Sequence, residues 1–303
     1  MKYFEWRGEK VSQFVLGAVQ LGMDYGVANK TGQPKKEEAF AILDEAAKNG
    51  VTMIDTAQAY GNSESVIGQW IKANNNNCPF NIISKWHSDV DINDEVQLKL
   101  SVRASVQTLG GPLWGMMIHD EKWLDQFDII AQVAKDLKKE GVLKYLGASV
   151  YSVEAAKKAI EIPGIDFIQV PCNAWDHRMI DSGIFEYAKE HNVLCFVRSV
   201  FLQGVLLMNK DELKEILPEA IQISAAWDSF ILKYNDTHES MALSFGGFLK
   251  LPLVIGVETI GQLEKNYDTL KSMNECFIYE EIKNIVESNV TNYIISPELW
   301  QKR

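Results

Sequence analysis

The sequence predicts an α/β fold, specifically a (β/α)8 TIM barrel, from two regularities along the chain. Short apolar runs alternate with longer segments whose apolar residues recur at a helical spacing. The short runs are apolar throughout, which is typical of parallel strands covered by helices on both faces. Eight strand–helix units within 303 residues favour a closed barrel over an open doubly wound sheet.

The predicted elements follow one another along the whole chain. Residues 1–14 are expected to form a hairpin, with its turn at residues 7–9, that closes the barrel bottom. Residues 271–303 are expected to form a C-terminal helix and tail, and we find no linker that would divide residues 1–303 into more than one domain. The barrel strands are predicted at 14–17, 52–55, 80–84, 114–118, 142–147, 167–170, 194–198 and 253–255, and helices at 36–49, 63–72, 96–109, 124–140, 153–160 and 220–233.

Polar residues and glycines mark several of the predicted helix ends. Asn62 or Ser63 is expected to cap the helix at 63–72, and Ser152 the helix at 153–160. Gly141 follows two lysines and is typical of a helix C-terminus. These signals agree with the alternating strand–helix frame.

Composition and charge exclude several classes of function. The chain has 41 acidic against 30 basic residues, a formal net charge of -11 and a pI near 5.0, unlike proteins that bind nucleic acid through a basic surface. No apolar stretch reaches the roughly 18 residues of a membrane helix, so we expect no membrane partner either. The first ten residues do not resemble a signal peptide, and the four cysteines are scattered. We therefore expect reduced thiols and a cytoplasmic location.

Chemically useful side chains stand where the predicted strands end. Asp55 ends the second barrel strand and Tyr60 follows it, whereas Lys85 and His119 follow the third and fourth strands. Barrel enzymes carry their active sites at the carboxyl ends of the strands. We therefore expect these four side chains to meet at one rim of the barrel.

The four side chains suit the protonation of an oxygen that gains negative charge. A free phenol has a pKa of about 10, and the Lys85 ammonium is expected to lower that of Tyr60. Asp55 would keep Lys85 charged, and His119 would orient a carbonyl. The sequence has neither a nucleophile elbow nor a glycine-rich phosphate loop, so the set favours reduction of a carbonyl.

These residues resemble the aldo-keto reductase superfamily, and the resemblance covers nearly the whole chain. Residues 51–61 (VTMIDTAQAYG) look like that family's Asp/Tyr signature, and Lys85 and His119 fall where its other catalytic residues stand. The resemblance implies a (β/α)8 barrel that binds NADP(H) or NAD(H) and reduces aldehydes and ketones, with Tyr60 as the general acid. Four further blocks follow in the family's order: GASVYS at 147–152, QVPCNAWD at 169–176, VRSVFLQGVL at 197–206 and VIGVETIGQLEKN at 254–266.

The resemblance also implies a cofactor site along the same rim. The nicotinamide would lie near Ser149 and Gln169, and the adenosine along residues 256–266, where backbone N–H groups at the start of a helix can meet a phosphate. The expected cofactor-binding residues are Gln20, Ser149, Gln169, Arg198, Ser199, Gly256, Val257, Glu258, Thr259, Gln262, Lys265 and Asn266.

Two departures from the family pattern concern the nicotinamide. Val150 stands where the family often has Asn, which removes one contact to the carboxamide. Arg198 stands where an aromatic residue often stacks on the ring. Its planar guanidinium could stack in the same way or meet an anionic group.

A third departure concerns the 2′-phosphate that distinguishes NADP(H) from NAD(H). The positions that commonly carry Lys or Arg hold Gly256 and Gln262, with Glu258 and Lys265 close by. An acidic side chain near the ribose favours free hydroxyls, and Lys265 alone argues the other way. We therefore expect NAD(H) to be accepted at least as well as NADP(H).

The substrate is expected to be a small carbonyl compound. Trp86 and Trp175 are candidates for an apolar wall, and His87 and Asp120 for polar contacts. A polar, partly charged mouth, to which Arg198 would contribute, favours a hydroxylated or sugar-like compound over an apolar aldehyde.

Two other interpretations use the same barrel differently. In one, the chain binds the cofactor as a sensor or regulatory subunit with little turnover. In the other, Lys85 forms a Schiff base with the substrate, which leaves Asp55 and Tyr60 without clear roles. We expect no metal site, because His119 and Asp120 alone are too few ligands.

Overall fold

Eight parallel strands close into a barrel in the computed structural model, which describes residues 1–273 and 279–300. Around the barrel the order is β10, β3, β4, β5, β6, β7, β8 and β9, so each strand pairs with its neighbour in the chain and the last closes on the first. This confirms the predicted (β/α)8 barrel. The strands are β1 (Tyr3–Trp6), β2 (Glu9–Ser12), β3 (Phe14–Gly17), β4 (Met53–Asp55), β5 (Asn81–Lys85), β6 (Leu113–Ile118), β7 (Leu143–Ser149), β8 (Phe167–Pro171), β9 (Leu194–Arg198) and β10 (Leu253–Gly256).

Helices cover the outside of the barrel and bury one apolar face each. In α5, for example, Ile130, Val133, Ala134 and Leu137 recur at helical spacing and are the buried positions. The α-helices are α1 (Val19–Gly22), α2 (Lys36–Lys48), α3 (Ser63–Ala73), α4 (Glu95–Leu109), α5 (Phe127–Lys139), α6 (Val153–Glu161), α7 (Arg178–Asp181), α8 (Ile184–Glu190), α9 (Lys210–Ile216), α10 (Ile221–Tyr234), α11 (His238–Phe248), α12 (Ile260–Ser272) and α13 (Tyr279–Asn289). Short 3-10 helices span Glu121–Gln126, Leu202–Leu207, Pro218–Ala220 and Pro297–Leu299.

Two predicted boundaries are wrong. The single helix expected at 124–140 is a 3-10 helix followed by α5, because Gln126 leaves helical geometry at φ -126° and ψ 41°. The tail expected from residue 271 begins later, since α12 runs to Ser272. Cys276 and residues 301–303 of the expected tail lie outside the described residues.

The predicted N-terminal hairpin is present and lies at the amino ends of the barrel strands. Strands β1 and β2 pair in antiparallel fashion through a turn at Arg7 and Gly8, both with positive φ. Trp6 packs on Trp114 and Tyr145, with ring centroids 6.1 and 5.0 Å away. Arg7 forms an ion pair with Asp166 at 2.5 Å, just before β8 begins. The hairpin therefore covers the barrel end opposite the carboxyl ends of the strands.

A large aromatic ring fills the barrel interior just above the hairpin. Phe167 is fully buried and lies against the bare backbones of Gly115 and Gly147. A Cβ at either glycine would come within 2.6 Å of the Phe167 ring. This layer supports the carboxyl-end rim, because its packing leaves no room for the strands to shift inward.

Candidate active site

A buried ion pair joins the carboxyl ends of β4 and β5. Lys85 Nζ donates to Asp55 Oδ2 at 2.6 Å and to the carbonyl of Thr56 at 3.0 Å. Both side chains of the pair are almost completely buried. The other oxygen of Asp55 accepts a hydrogen bond of 2.9 Å from the Gln169 amide on β8. The pair therefore forms a fixed charged floor, and the Lys85 amine is not exposed on the wall of the cavity described below, which disfavours a Schiff base there.

Tyr60 follows β4 in a short loop that two glycines hold against α1. A Cβ at Gly22 would lie 2.0 Å from the Tyr60 carbonyl oxygen, and one at Gly61 would lie 2.3 Å from that of Gly22. Gly61 also has a φ of 53°, which favours glycine. The contact places the Tyr60 loop directly beside the end of β3.

The residues expected to cap α3 hold this loop instead. The Asn62 side chain makes no capping bond and accepts from the Gln33 amide at 2.7 Å. Ser63 donates to the carbonyl of Ala18 at 2.8 Å. The capping prediction is wrong there because both side chains serve the contact between two loops, whereas Ser152 caps α6 as predicted.

The Tyr60 ring lies between Lys85 and His119. Lys85 Nζ lies 4.8 Å from the centroid of the ring. His119, at the end of β6, approaches the ring edge to face with centroids 5.8 Å apart. The four side chains expected at one rim therefore meet there.

Burial sets the protonation of these groups. It raises the pKa of Tyr60 far above the ordinary value, and the Asp55 carboxylate raises it further while Arg198 lowers it. Burial lowers the pKa of Lys85, although Asp55 opposes this. Burial, then Lys85 and Arg198, lower the pKa of His119 to about 3. Burial and the Asp55 carboxylate outweigh the nearby Lys85 ammonium, so the Tyr60 pKa is raised where the sequence led us to expect a lowered one.

A cavity of about 640 Å³ opens above these residues. It extends from Asp55, Tyr60 and His119 to residues at the start of α12. Of the expected site residues, the cavity is lined by Gln20, Asp55, Tyr60, His119, Ser149, Gln169, Arg198, Ser199, Gly256, Glu258, Gln262, Lys265 and Asn266.

Arg198 occupies the side of the cavity formed by β7 and β9. Its guanidinium lies over the Tyr151 ring, 4.2 Å from the centroid. It donates to Ser199 Oγ at 3.1 Å and to the Val150 carbonyl at 3.4 Å. The guanidinium therefore stacks, as one of its two expected modes, and it stacks on a tyrosine of this chain.

The far end of the cavity lies at the start of α12. Glu258 and Gln262 hydrogen-bond each other there at 3.0 Å. Lys265 Nζ lies 3.2 Å from the Glu239 carboxylate on α11. Carboxylates therefore stand beside both groups that could contact a ribose at this end.

Some expected residues do not line the cavity. Thr259 caps α12, accepting from the Gln262 N–H at 3.2 Å, and Val257 is buried in the core. Asp120 caps the 3-10 helix at Glu121–Gln126, and His87 accepts from the Asp89 N–H at 3.1 Å near the surface. These four residues therefore shape the rim without facing the cavity.

The two tryptophans expected as an apolar wall are corrected by the structure. Trp86 is fully buried and its indole donates to the Leu98 carbonyl on α4. Successive side chains of a strand point to opposite faces, so Trp86 points outward because Lys85 points inward. Trp175 is likewise buried in the core and does not line the cavity.

Other cavity residues were not expected from the sequence. Tyr25, Tyr151 and Phe201 line the same cavity as Tyr60 and His119. Lys30 and Glu212 form an ion pair between the loop after β3 and the segment after β9, which brings these two loops together over the cavity. Tyr151 carried a usable signal, because it stands two residues after the end of β7, whereas the loop residues carried none.

The chemistry of the cavity wall fits a nicotinamide dinucleotide. Buried polar atoms there lack hydrogen-bond partners within the described residues, namely Gln20 Oε1 and Arg198 Nε. A side chain at Gly256 would collide with Gln20, its Cβ only 2.1 Å away, so this glycine keeps the passage beside Gln20 open. Across residues 1–273 and 279–300, no three His, Cys, Asp or Glu side chains are grouped to hold a metal ion.

Comparison with known sequences identifies relatives of this chain. A model of the aldo/keto reductase family matches residues 13–288. An aldo-keto reductase of Gibberella moniliformis is 26% identical over 180 residues, covering 57% of this chain and 54% of that protein. Norsolorinic acid reductase B of Dothistroma septosporum is 32% identical over 160 residues, covering 46% and 39%. The matched region thus spans about half the length of these curated relatives.

Solved structures share the fold at low sequence identity. An aldo-keto reductase from Bacillus halodurans, AKR11C1 in its holo form, superposes with a TM-score of 0.77 at 19% identity and covers 98% of this chain and 100% of that one. The glycerol dehydrogenase AKR11B4 from Gluconobacter oxydans gives 0.70 at 20% identity, with 97% of each chain covered. At this identity the likeness concerns the fold alone.

No helix in the described part of the chain is long and apolar enough to cross a bilayer.

Proposed function

Because the chain belongs to the aldo/keto reductase family, we propose that it reduces an aldehyde or ketone to an alcohol with Tyr60 as the general acid. The proposal rests on the position of the Tyr60 phenol between Lys85 and His119, on the wall of the cavity. NAD(P)H would supply the hydride when bound. The residues described below would donate the proton, position the substrate and hold the cofactor.

Tyr60 is the proton donor in this proposal. Its raised pKa keeps the phenol protonated throughout the neutral range, so a proton is available for a carbonyl oxygen as that oxygen gains charge. The nearby Lys85 ammonium then stabilises the phenolate that remains. Asp55 holds Lys85 in place and also fixes the amide of Gln169.

His119 positions the substrate oxygen. With a pKa of about 3 its imidazole is neutral at physiological pH and carries one N–H. A neutral donor can bind the carbonyl oxygen without competing with Tyr60 for the role of acid. The edge-to-face approach of the two rings supports this division.

The cofactor-binding residues divide into two groups. Ser149, Gln169 and Arg198 suit the nicotinamide, and Gln20, Gly256 and the start of α12 suit the rest of the nucleotide. For the ribose, we propose that NAD(H) is accepted at least as well as NADP(H). Glu258 stands at this end of the cavity, and Lys265 is already paired with Glu239.

For the substrate we propose a hydroxylated or sugar-like carbonyl compound. The wall near Tyr60 carries the hydroxyl groups of Tyr25 and Tyr151 and the guanidinium of Arg198. Such groups hydrogen-bond substrate hydroxyls, which an apolar aldehyde lacks. A structural neighbour named glycerol dehydrogenase is consistent with this class.

The Tyr60→Phe variant tests the proposal. It keeps the ring over Lys85 and removes the proton, so turnover of a panel of hydroxylated aldehydes and ketones should fall by about a hundredfold or more. Titration of NADH fluorescence should give nearly unchanged affinity, which controls for folding. Wild-type rates in the variant would overturn the acid assignment, and tight nucleotide binding without turnover in the wild type would favour a sensor.

A further inference from the structure

Arg198 is a cationic residue of the cavity wall that forms no ion pair with a carboxylate in the part of the chain that the structure describes. Its guanidinium hydrogen-bonds only neutral oxygens, those of Ser199 and Val150, and its Nε has no partner within the described residues. Because arginine keeps its charge at any physiological pH, this positive charge persists within the cavity.

The other cations of the cavity wall are paired. Lys30 binds Glu212, and Lys265 binds Glu239. Below the wall, the charge of Lys85 is matched by Asp55. Within residues 1–273 and 279–300, no carboxylate lies within ion-pair distance of Arg198, so its guanidinium is the cation of the cavity wall that has no direct carboxylate partner.

The two departures from the family pattern, at positions 150 and 198, lie side by side in the structure. Val150 stands where an Asn side chain is common, and Arg198 where an aromatic ring is common. In the structure the guanidinium lies 3.4 Å from the Val150 carbonyl and is stacked on Tyr151. The guanidinium of Arg198 thus offers both a flat face and N–H donors, which the family pattern would supply from two residues, an aromatic ring and an Asn.

The charge of this group matters because the nicotinamide changes charge when it reacts. The reduced ring is neutral and the oxidised ring is positive, so a nearby guanidinium repels only the oxidised form. A repulsion between unit charges a few ångströms apart is large enough to alter affinity even when partly screened.

We propose that Arg198 makes the site select the reduced nucleotide over the oxidised one. This inference rests on the proposed function, since it takes the nicotinamide to lie beside Ser149, Gln169 and Arg198. Weaker binding of the oxidised nucleotide would speed its release after hydride transfer, and Arg198 would in this way favour turnover in the direction of carbonyl reduction.

Equilibrium binding tests this without turnover. Dissociation constants of NADH and NAD+ are measured for the wild type, Arg198→Met and Arg198→Lys by calorimetry, with ADP-ribose as a ligand that lacks nicotinamide. The wild type should bind NADH at least about tenfold more tightly than NAD+. Arg198→Met should reduce that ratio about tenfold, whereas Arg198→Lys should keep most of it because the charge remains. Affinity for ADP-ribose should be the same in all three proteins.

A surface variant provides the matched control. Arg103→Met removes one positive charge from α4, where Arg103 pairs with Glu140 on the protein surface, and should leave the NAD+/NADH ratio unchanged. An unchanged ratio in Arg198→Met, or an equal fall in Arg103→Met, would overturn the inference. If the protein reduces carbonyl compounds but Arg198→Met leaves the ratio of the NAD+ and NADH dissociation constants unchanged, this inference alone is wrong. If the ratios are as expected but no carbonyl compound is reduced, the proposed reaction alone is wrong. If the protein binds no nucleotide, both are wrong.

Discussion

The Lys85 ammonium lies 2.6 Å from the Asp55 carboxylate, and both side chains are buried below the ring of Tyr60. Each charge is tolerated in the interior because the other is present, and Thr56 and Gln169 complete their hydrogen bonds. The pair therefore links the stability of the protein to its proposed chemistry.

Removing Lys85 alone should be costly for folding. Lys85→Met leaves the Asp55 carboxylate buried without its partner, which should lower the free energy of unfolding by about 3–5 kcal/mol. The double variant Asp55→Asn with Lys85→Met buries no charge and should recover most of that loss while remaining inactive. Urea denaturation of both variants and of the wild type measures this. Equal stability of the single and double variants would show that the pair is not coupled.

His119 should make the protein less stable in mild acid. Its pKa is about 3 when folded, against an ordinary value of 6.5, so between these pH values the unfolded chain binds the proton more strongly. Stability linked to His119 is thus complete above pH 6.5 and is lost as pH falls toward 3. From pH 6.5 to 4.5 the wild type should lose about 2 kcal/mol more than His119→Gln. Identical pH dependence in both proteins would contradict the burial of a neutral imidazole.

Freeing Lys265 should shift the preference for the nucleotide. Glu239→Gln removes the carboxylate 3.2 Å from Lys265 and leaves an amide of similar size. The lysine would then be available to a 2′-phosphate, so the ratio of kcat/KM for NADPH to that for NADH should rise several-fold. The wild type itself should use NADH at least as well as NADPH. A preference of the wild type for NADPH of about a hundredfold would refute this account of the ribose end.

A single methyl group behind Tyr60 should disturb catalysis. Gly22→Ala would place a Cβ 2.0 Å from the Tyr60 carbonyl oxygen and push its loop away from α1. A displacement of about 1 Å in the acid should lower kcat roughly a hundredfold. Gly111→Ala is the control, because no atom lies within 4 Å of its Cβ position. Comparable kcat values for the two variants would show that the glycine contact does not position Tyr60.

The barrel and the meeting of the four side chains at its rim could be predicted because they depend on short-range signals. Apolar runs located all eight barrel strands to within a few residues, and Asp55, Lys85 and His119 are fixed by the strand ends themselves. The face of Trp86 was also within reach, because an inward Lys85 requires its neighbour to point outward. Strand alternation is therefore the signal that the pocket prediction should have used.

Loop residues and protonation could not be read from the sequence. Tyr25 and Phe201 reach the cavity through loops that pack on each other, and such contacts have no local period. The pKa of Tyr60 depends on how completely water is excluded, which is a property of the assembled site. The Asn62 cap failed for the same reason, since a partner distant in the chain, Gln33, takes its oxygen.

The N-terminal hairpin closes one end of the barrel. Trp6 and the aromatic rings around it close the end of the barrel at the amino ends of the strands. The cavity lined by Tyr60 and His119 lies at the opposite end. A ligand that fills the cavity would displace water from beside Tyr60 and His119, and the electrostatic interactions among these side chains would then strengthen. Ligand binding would therefore create the low-dielectric surroundings that the proposed chemistry requires.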